Sequence, residues 1–230
     1  MKENKIWNDY LPEDMQEHWT VYECLKESED SSTFLVKETA TGILCVLKWG
    51  RNRQAEFLRN EMEIMEKMAD RKLSGIPKTY RIFEENGEVY LVREYIEGMS
   101  LAQMVLQKGG ISEAEICRIS RKICQTAEQF QNPDEPMIHR DIKPENIVVT
   151  PGGEVVFIDF GTMRSYKKDG SRDTFVVGTR GTAAPEQYGY TQTDQRTDVY
   201  AIGQTMLYMV SESYEMNQLS ECAVSRRMKK

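Results

Sequence analysis

The chain has 230 residues, of which 30 are Lys or Arg and 37 are Asp or Glu, so its formal net charge at pH 7 is −7. A surface that binds nucleic acid through its phosphates needs clustered basic residues, and this charge balance argues against such a partner. The length is enough for one large domain or for two small lobes with a sizeable core.

Cysteine usage and hydropathy exclude further classes of protein. The five cysteines have neither the paired spacing of a metal site nor the density of a small secreted domain, so we expect reduced thiols and a cytoplasmic location. No apolar stretch approaches the roughly 20 residues that a membrane-spanning helix needs. The first residues also lack the apolar core of a signal peptide, and we therefore expect no membrane span.

The first part of the chain, up to about residue 97, predicts an antiparallel sheet with a single helix. Short β-branched and aromatic runs predict strands over 19–25, 33–38, 43–49, 80–84 and 88–95. Turn residues at Thr41-Gly42 and Asn86-Gly87 predict hairpins. A helix is predicted over 53–69, because its apolar residues fall roughly on one face: Phe57, Ile64, Met65 and Met68.

The pattern after Gly98 is mainly helical. Ser112 and Glu115 have the spacing of a capping box, and the apolar residues that follow recur at helical spacing: Ile116, Ile119, Ile123, Ala127 and Phe130. Two parts of unlike composition therefore meet near residues 94–98. Ligand sites often lie at such junctions, so we expect a cleft there.

Two polar segments in the second part carry the residue types of a phosphoryl-transfer site. The first is the run His139-Arg140-Asp141-Ile142-Lys143-Pro144-Glu145-Asn146, and the second is Asp159-Phe160-Gly161, which begins thirteen residues after Asn146. Such a site needs a carboxylate to orient a hydroxyl, a lysine for phosphate charge, and amide and carboxylate oxygens for a metal ion. The two segments supply all of these, and each lies beside strand-like apolar residues at 147–149 and 155–158.

These segments resemble a known family. In order and spacing, residues 139–146, 159–161 and Ala184-Pro185-Glu186 are similar to the catalytic loop, the metal loop and the activation-segment end of the eukaryotic-like (Hanks-type) serine/threonine protein kinases. Cys45-Val46-Leu47-Lys48 resembles the strand that ends in the family's nucleotide-binding lysine. The resemblance runs from about residue 25 to 211.

The resemblance implies an α+β, bilobal fold that forms one catalytic domain. Residues 1–97 would be the N-lobe and hinge, an antiparallel β-sheet with one major helix preceded by an N-terminal extension over 1–18. Residues 98–230 would be a mainly helical C-lobe that lacks its last helices, so the domain is expected to be C-terminally truncated.

The same resemblance implies catalytic roles. Asp141 would accept or orient the proton of the substrate hydroxyl, and Lys143 would reach the γ-phosphate of ATP. Lys48 would bind the α- and β-phosphates and be held by a glutamate of the first helix, for which Glu61 fits better than Glu56, Glu63 or Glu66. Metal binding would fall to Asn146 and Asp159, which would hold Mg²⁺, with Mn²⁺ as an alternative.

Nucleotide contacts follow in the same way. Val46 and Val148 would sandwich the adenine ring, and the backbone from Glu94 to Ile96 would hydrogen-bond its edge. The loop over the phosphates would be lined by Leu25, Lys26, Ser28, Ser31 and Thr33. Kinases have glycine at three places in this loop, which here hold Lys26, Ser28 and Ser31. Because side chains narrow the approach of the backbone and nearby acidic residues repel polyphosphate, we predict weaker nucleotide affinity or an unusual loop conformation.

Arg93 is a second departure from the family. It falls at the back of the expected adenine pocket, where methionine, leucine or threonine is usual. A buried guanidinium needs a partner, so one hypothesis is that Arg93 competes with Lys48 for Glu61 and disfavours the active arrangement. The alternatives are that its side chain reaches solvent or that the strand register differs by one residue.

Regulation is expected between residues 159 and 186. The resemblance implies that Arg140 would capture a phosphate of the activation loop, and a guanidinium suits this role because it binds phosphate oxygens bidentately. Thr174 is the first choice among the possible acceptors, which are Ser165, Tyr166, Ser171, Thr174 and Thr179. Asp198 would either brace the backbone of the catalytic loop or simply cap a helix.

The predicted function is ATP-dependent phosphoryl transfer to Ser or Thr hydroxyls of protein or peptide substrates, with autophosphorylation in the activation segment. A nucleotide-binding pseudokinase or scaffold is one alternative, and a kinase-like small-molecule phosphotransferase is another. Because the resemblance implies further helices after about residue 211, the apolar face of residues 199–210 would be uncovered and would favour self-association.

Overall fold

The computed structural model describes residues 11–69, 71, 73–108, 111–131, 135–166, 177–188 and 192–211. The chain divides into two compact units, one comprising Met1–Lys67 and Pro77–Tyr95, the other Met68–Ile76 and Ile96–Lys230. Residues 68–76, which the predicted division placed with residues 1–97, thus group with the second unit.

The first unit is built on a five-stranded antiparallel sheet with the strand order β1-β2-β3-β5-β4. All five strands match the predicted ones to within two residues at each end, and the expected hairpin turns are present, with left-handed backbone at Gly42, Asn86 and Gly87. The strands are β1 (Trp19–Glu27), β2 (Ser31–Glu38), β3 (Leu44–Gly50), β4 (Thr79–Glu85) and β5 (Glu88–Glu94).

One face of this sheet is covered by the segment that precedes it. A single-turn helix, α1 (Glu13–Gln16), carries Met15, which is buried with Leu11 and Trp19 in a cluster with side chains of β2, β3 and β5. The Trp19 ring also meets Phe83 edge to face. Residues 11–18, predicted as an extension, therefore contribute to the core, where burying each large apolar side chain stabilises the fold by about 1.5–3 kcal/mol.

The long helix of the first unit, α2 (Arg53–Ala69), has the predicted bounds. Its buried positions recur every three or four residues, at Ala55, Leu58, Glu61, Ile64 and Met68. Ala55 and Leu58 pack with Val89 and Leu91 of β5. A glutamate thus lies in the middle of an otherwise apolar stripe, a position that is costly for a carboxylate without a partner.

The second unit is mainly helical. Ser112 is the N-cap of the helix that begins at Glu113. The Ser112 hydroxyl accepts a hydrogen bond from the Glu115 N–H at 3.3 Å. The helices are α3 (Leu101–Lys108), α4 (Glu113–Glu128) and α5 (Gln195–Ser211). Short strands accompany them: β6 (Met99–Ser100), β7 (Met137–Ile138), β8 (Ile147–Val149), β9 (Val155–Phe157) and β10 (Arg164–Ser165).

These strands form two small antiparallel sheets, with the orders β6-β8-β9 and β10-β7. The α+β class is confirmed, with an antiparallel sheet and one major helix followed by a mainly helical part. No helix in the described part of the chain is both long and apolar enough to cross a membrane.

An aromatic cluster holds the two polar segments in the second unit. Phe130 and His139 each contact the rings of Phe157 and Phe160 and also contact each other, with centroids 5.3–6.2 Å apart, and none of the four side chains is more than 1% exposed. His139 begins the first polar segment and Phe160 lies within the second. The burial of these two rings therefore anchors both polar segments to the core of the second unit.

Candidate active site

The first unit contributes a buried ion pair. Lys48 lies on β3, and its Nζ donates to both carboxylate oxygens of Glu61 on α2, at 2.7 Å and 3.0 Å. The side chains are 12% and 2% exposed, so the pair is largely shielded from water. Of the four glutamates considered from the sequence, Glu61 is the one that points inward from the helix.

Hydrogen bonds that no sequence motif indicates hold the loop between β1 and β2. This is the loop that was predicted to cover the phosphates. Ser28 and Ser31 close the turn, with a 2.8 Å hydrogen bond from the Ser28 N–H to the Ser31 carbonyl. From the end of β3, the Arg51 side chain donates to the Asp30 carboxylate at 2.8 Å and to the Glu29 carbonyl at 3.0 Å. The Arg51 N–H also donates to the Asp30 carbonyl at 3.0 Å. One of the acidic residues expected to repel polyphosphate is thus paired with a cation.

The other predicted nucleotide-binding residues lie on several elements. Leu25 and Lys26 are exposed on β1, and Thr33 is partly buried on β2, where it pairs with Lys48 in the ladder. Val46 is buried on β3 of the first unit, and Val148 is buried on β8 of the second. Glu94 is the last residue of β5, and Ile96 is the first residue of the segment Ile96–Lys230 of the second unit. Their joint role around an adenine ring remains a prediction.

Arg93 is buried on β5, at 5% exposure, and lies opposite Val46 and Thr79 in the ladder. Its side chain therefore does not extend into solvent. One guanidinium nitrogen donates to the Glu94 carbonyl at 2.9 Å. In this structure Glu61 is paired with Lys48. That Arg93 can displace Lys48 from Glu61 in an inactive conformation remains a prediction.

In the second unit, Asp141 is the centre of a hydrogen-bond network. One carboxylate oxygen accepts from Lys143 Nζ at 2.7 Å and from the amide nitrogen of Asn146 at 2.9 Å. The other accepts from the Thr179 hydroxyl at 2.7 Å, and Lys143 Nζ also lies 2.7 Å from that hydroxyl oxygen. A carboxylate and a hydroxyl thus lie within hydrogen-bonding distance, as proton transfer from a hydroxyl requires, and an ammonium group contacts both.

Asn146 and Asp159, the predicted metal ligands, are linked through their backbones, since the Ile158 N–H donates to the Asn146 carbonyl at 3.0 Å. Asp159 also accepts from the Gly161 N–H at 3.4 Å. Among the residues that the structure describes, no group of three or more His, Cys, Asp or Glu side chains is arranged to hold a metal ion.

Asp198 braces the backbone of the catalytic loop. Its two carboxylate oxygens accept from the N–H groups of His139 and Arg140, both at 2.9 Å. Arg140 has left-handed backbone, with φ of 68°, which is costly for a residue other than glycine and needs such support. The alternative role as a simple cap belongs instead to Asp194, which accepts from the Arg196 N–H as α5 begins.

The activation segment is described only at its two ends. Thr174 lies outside the described residues, so its modification remains a prediction. Near the first end, Arg140 donates from Nε to the Thr162 carbonyl at 2.6 Å. Near the second, Glu186 accepts from the hydroxyl of Thr197 at 2.6 Å, a partner that the sequence analysis missed because no motif marks it.

Two buried groups in this unit have pKa values shifted in opposite directions. Burial lowers the pKa of His139 from the usual 6.5 to about 4, and no described residue hydrogen-bonds either of its ring nitrogens. Burial raises the pKa of Asp198 from 3.8 to about 6, although its two backbone hydrogen bonds favour the charged form. Between about pH 4 and pH 6, His139 makes the folded state less stable as the pH falls, whereas Asp198 makes it more stable.

We therefore expect the two contributions to oppose each other in the wild-type chain. Asp198→Asn should leave the contribution of His139, so that the free energy of unfolding falls more steeply with decreasing pH than in wild type. His139→Phe should have the reverse effect, and each change should approach about 2 kcal/mol across the window. Urea unfolding at about pH 4.5, 5.5 and 6.5 measures this. The exposed Asp14→Asn is the control, and parallel curves for all variants would contradict the expectation.

Comparisons with known proteins agree with this geometry. The family model described as protein kinase domain matches residues 20–228. Serine/threonine-protein kinase D of Synechocystis sp. is 32% identical over 164 residues, which cover 68% of this chain and 31% of that protein. Serine/threonine-protein kinase PknA of Nostoc sp. is 30% identical over 164 residues, covering 68% of this chain and 28% of that protein.

A eukaryotic relative, serine/threonine-protein kinase cds1 of Schizosaccharomyces pombe, is 27% identical over 177 residues, which cover 73% of this chain and 37% of that protein. The chain thus spans about a third of the length of these curated relatives. Since the family model covers most of the 230 residues, the chain belongs to the protein kinase family.

Proposed function

We propose that the chain transfers the γ-phosphoryl group of ATP to Ser or Thr hydroxyls of protein or peptide substrates. The observation that carries this proposal is the network around Asp141, in which Lys143, Asn146 and the Thr179 hydroxyl all lie within 3.0 Å of its carboxylate. The relatives named serine/threonine-protein kinases support the choice of acceptor.

In the proposed reaction, the substrate hydroxyl oxygen forms a bond to the γ-phosphorus while the bond from that phosphorus to the β–γ bridging oxygen breaks, and ADP leaves. Asp141 orients the hydroxyl and receives its proton, a role that the contact with Thr179 Oγ1 imitates. Lys143 lies beside the same carboxylate and offsets negative charge on the transferring oxygens. Lys48, held by Glu61, does the same for the other phosphates.

Protein kinases use ATP and a divalent metal ion, and we propose Mg²⁺ here, with Mn²⁺ as the alternative. The donor set fits a hard cation, because Asn146 turns its amide nitrogen toward Asp141 and its amide oxygen away from it. Asp159 adds a carboxylate, and Mg²⁺ is commonly held by one or two carboxylates together with nucleotide phosphates. When bound, the ion neutralises charge on the phosphate oxygens.

A nucleotide-binding pseudokinase is the second candidate, and two observations favour it. The β1–β2 loop has no glycine between Leu25 and Phe34. Arg93 is also buried where the family has an uncharged residue. Each would change nucleotide binding without removing a group that the chemistry needs. A small-molecule phosphotransferase is disfavoured, because Lys143 and Ala184-Pro185-Glu186 resemble the protein-kinase pattern.

Labelled ATP with Mg²⁺ distinguishes these candidates when it is incubated with the protein alone, with a Ser/Thr peptide mixture, and with small alcohols. Label on protein or peptide supports the proposed kinase. Nucleotide binding without transfer supports the pseudokinase, and label on a small alcohol alone supports the third class. Mapping the labelled residues also tests autophosphorylation at Thr174 and Thr179, and label confined to other sites would refute those two positions.

Glycine substitution in the β1–β2 loop tests the expected weak nucleotide affinity. We expect Ser28→Gly with Ser31→Gly to lower the KM for ATP several-fold, because removing both side chains opens the backbone to the phosphates. The double change also removes the hydrogen bond between the two hydroxyls, 2.8 Å long. Steady-state kinetics measure KM, and Ser211→Gly at the end of α5 is a control far along the chain. A KM in the ordinary range that the double variant leaves unchanged would contradict the expectation.

We also propose self-association through one face of α5. Val199, Tyr200 and Met206 are 68%, 41% and 39% exposed, although apolar side chains on a helix usually pack against a neighbour. Size-exclusion chromatography over a concentration series should show species larger than the monomer. Val199→Glu should reduce them, whereas Leu106→Glu, at a similarly exposed apolar position on α3, should not. A single monomer peak for wild type throughout would refute the proposal.

The described cysteines support the proposed cytoplasmic location. Among the described residues, Cys45, Cys117 and Cys124 form no disulfide, as expected in a reducing compartment. Burial raises the pKa of the Cys45 thiol, so this cysteine is disfavoured as a reactive thiolate.

A further inference from the structure

A buried glutamine joins three chain segments around the catalytic loop. Gln187 follows Glu186 in a short 3-10 helix, Pro185–Tyr188, and is 4% exposed. Its amide nitrogen donates to the carbonyls of Arg140 at 2.6 Å and Val177 at 2.9 Å. Its amide oxygen accepts from the Ala184 N–H at 2.9 Å. Both ends of the amide are therefore used, in a place that is closed to water.

Only an amide satisfies this set of partners among side chains of this length. Two carbonyls require two donors and one N–H requires an acceptor, and a primary amide has both. A carboxylate would face two carbonyl oxygens, and methionine would leave three buried polar groups without hydrogen bonds. The backbone is also closely fitted to the amide, since a Cβ at Gly178 would lie 2.8 Å from Gln187 Nε2.

The bond to Arg140 matters because Arg140 directly precedes Asp141. Arg140 has strained backbone, its N–H is held by Asp198 at 2.9 Å, and its carbonyl is held by Gln187. The same glutamine holds Val177, two residues before Thr179, whose hydroxyl contacts Asp141. One side chain thus connects the residue that carries the carboxylate with the segment that presents a hydroxyl to it.

We propose that Gln187 is a positioning residue for phosphoryl transfer, which sets Asp141 and the segment 177–184 in their relative places. The inference rests on the proposed function. It predicts an effect on kcat and on the KM for peptide, since both depend on this geometry, and little effect on the KM for ATP. A displacement of about 1 Å at a reacting group can lower a rate on the order of 100-fold.

The test uses two substitutions and a matched control in the full chain. Gln187→Met keeps the length of the side chain and removes its hydrogen bonds, so kcat should fall on the order of 100-fold while the KM for ATP stays within about twofold. Gln204→Met makes the same exchange on α5, where no described residue hydrogen-bonds the amide oxygen, and should leave kcat within about twofold. A kcat for Gln187→Met within about threefold of wild type would overturn the inference.

The pH profile of Gln187→Glu, measured together with its stability, separates positioning from a loss of folded protein. Burial beside two carbonyl oxygens should raise the pKa of the introduced carboxyl, whose protonated form regains one donor and one acceptor. Its kcat relative to wild type should therefore rise as the pH is lowered from about 8 to about 6. A flat ratio would contradict the inference, and so would a recovery that urea unfolding of the same variant at both pH values attributes wholly to a larger folded fraction.

Hydrogen exchange distinguishes failure of this inference from failure of the proposed function. If wild type transfers no phosphate to any acceptor, the proposed function fails. Exchange of the Ala184 N–H then still reports on the amide that holds it, and Gln187→Met should accelerate that exchange relative to Gln204→Met. Unchanged exchange would overturn the role assigned to Gln187.

Discussion

Asp141→Asn should reduce phosphoryl transfer by about 10²–10⁴-fold, because it removes the group that orients and deprotonates the hydroxyl. The substitution keeps the shape of the side chain but replaces one carboxylate oxygen with an NH₂ group. That group would face donors, since Lys143 Nζ and the Asn146 amide nitrogen both lie within 2.9 Å of one oxygen and the Thr179 hydroxyl lies 2.7 Å from the other. The network should therefore lose hydrogen bonds as well as charge.

The measurement is single-turnover transfer from labelled ATP to a peptide, together with nucleotide binding by thermal shift. Nucleotide binding should persist, since Asp141 is proposed to act on the hydroxyl rather than on ATP. Glu145→Gln is the matched control, because it removes an exposed carboxylate from the same loop and should leave transfer nearly unchanged. Equal loss in the two variants, or full activity of Asp141→Asn, would contradict the assignment.

The elements and residues that could be predicted from the sequence are those with a local signature. The five strands of the first unit follow from short β-branched runs bounded by turn residues, and α2 follows from its apolar spacing. Glu61 could be selected because Ile64 then falls on the buried face of the same helix. In each case, neighbours within a few residues determine the pattern.

The residues that could not be predicted from the sequence have partners far along the chain. Arg51 holds Asp30 across 21 residues, and Gln187 holds Arg140 across 47. A single arginine after a strand, or a glutamine after Pro185-Glu186, has many possible partners, and no spacing rule selects one. The same applies to Leu11 and Met15, whose apolar character shows only that they should be buried against something. Such contacts are determined by tertiary packing rather than by propensity.

Variants of the Lys48–Glu61 pair should affect the stability of the fold and its phosphoryl transfer differently. Lys48→Met leaves the Glu61 carboxylate, 2% exposed, without its ammonium partner, and breaking a buried pair in this way costs about 3–5 kcal/mol. Lys48→Met combined with Glu61→Met replaces both charges with apolar side chains. Because a buried pair can be exchanged for apolar groups at little cost, the double variant should recover most of the lost stability.

Transfer of phosphate should not recover in that double variant, since no ammonium group would remain to bind the phosphates. Urea unfolding gives the free energies, and labelled ATP gives the activity. Lys67→Met is the control, because Lys67 pairs with Glu63 on the same helix with side chains 41% and 64% exposed, and its loss should cost less than about 1 kcal/mol. If the double variant were as unstable as Lys48→Met, the burial of the Glu61 charge would not be the cause of the instability. If it regained activity, Lys48 would have no role in binding phosphate.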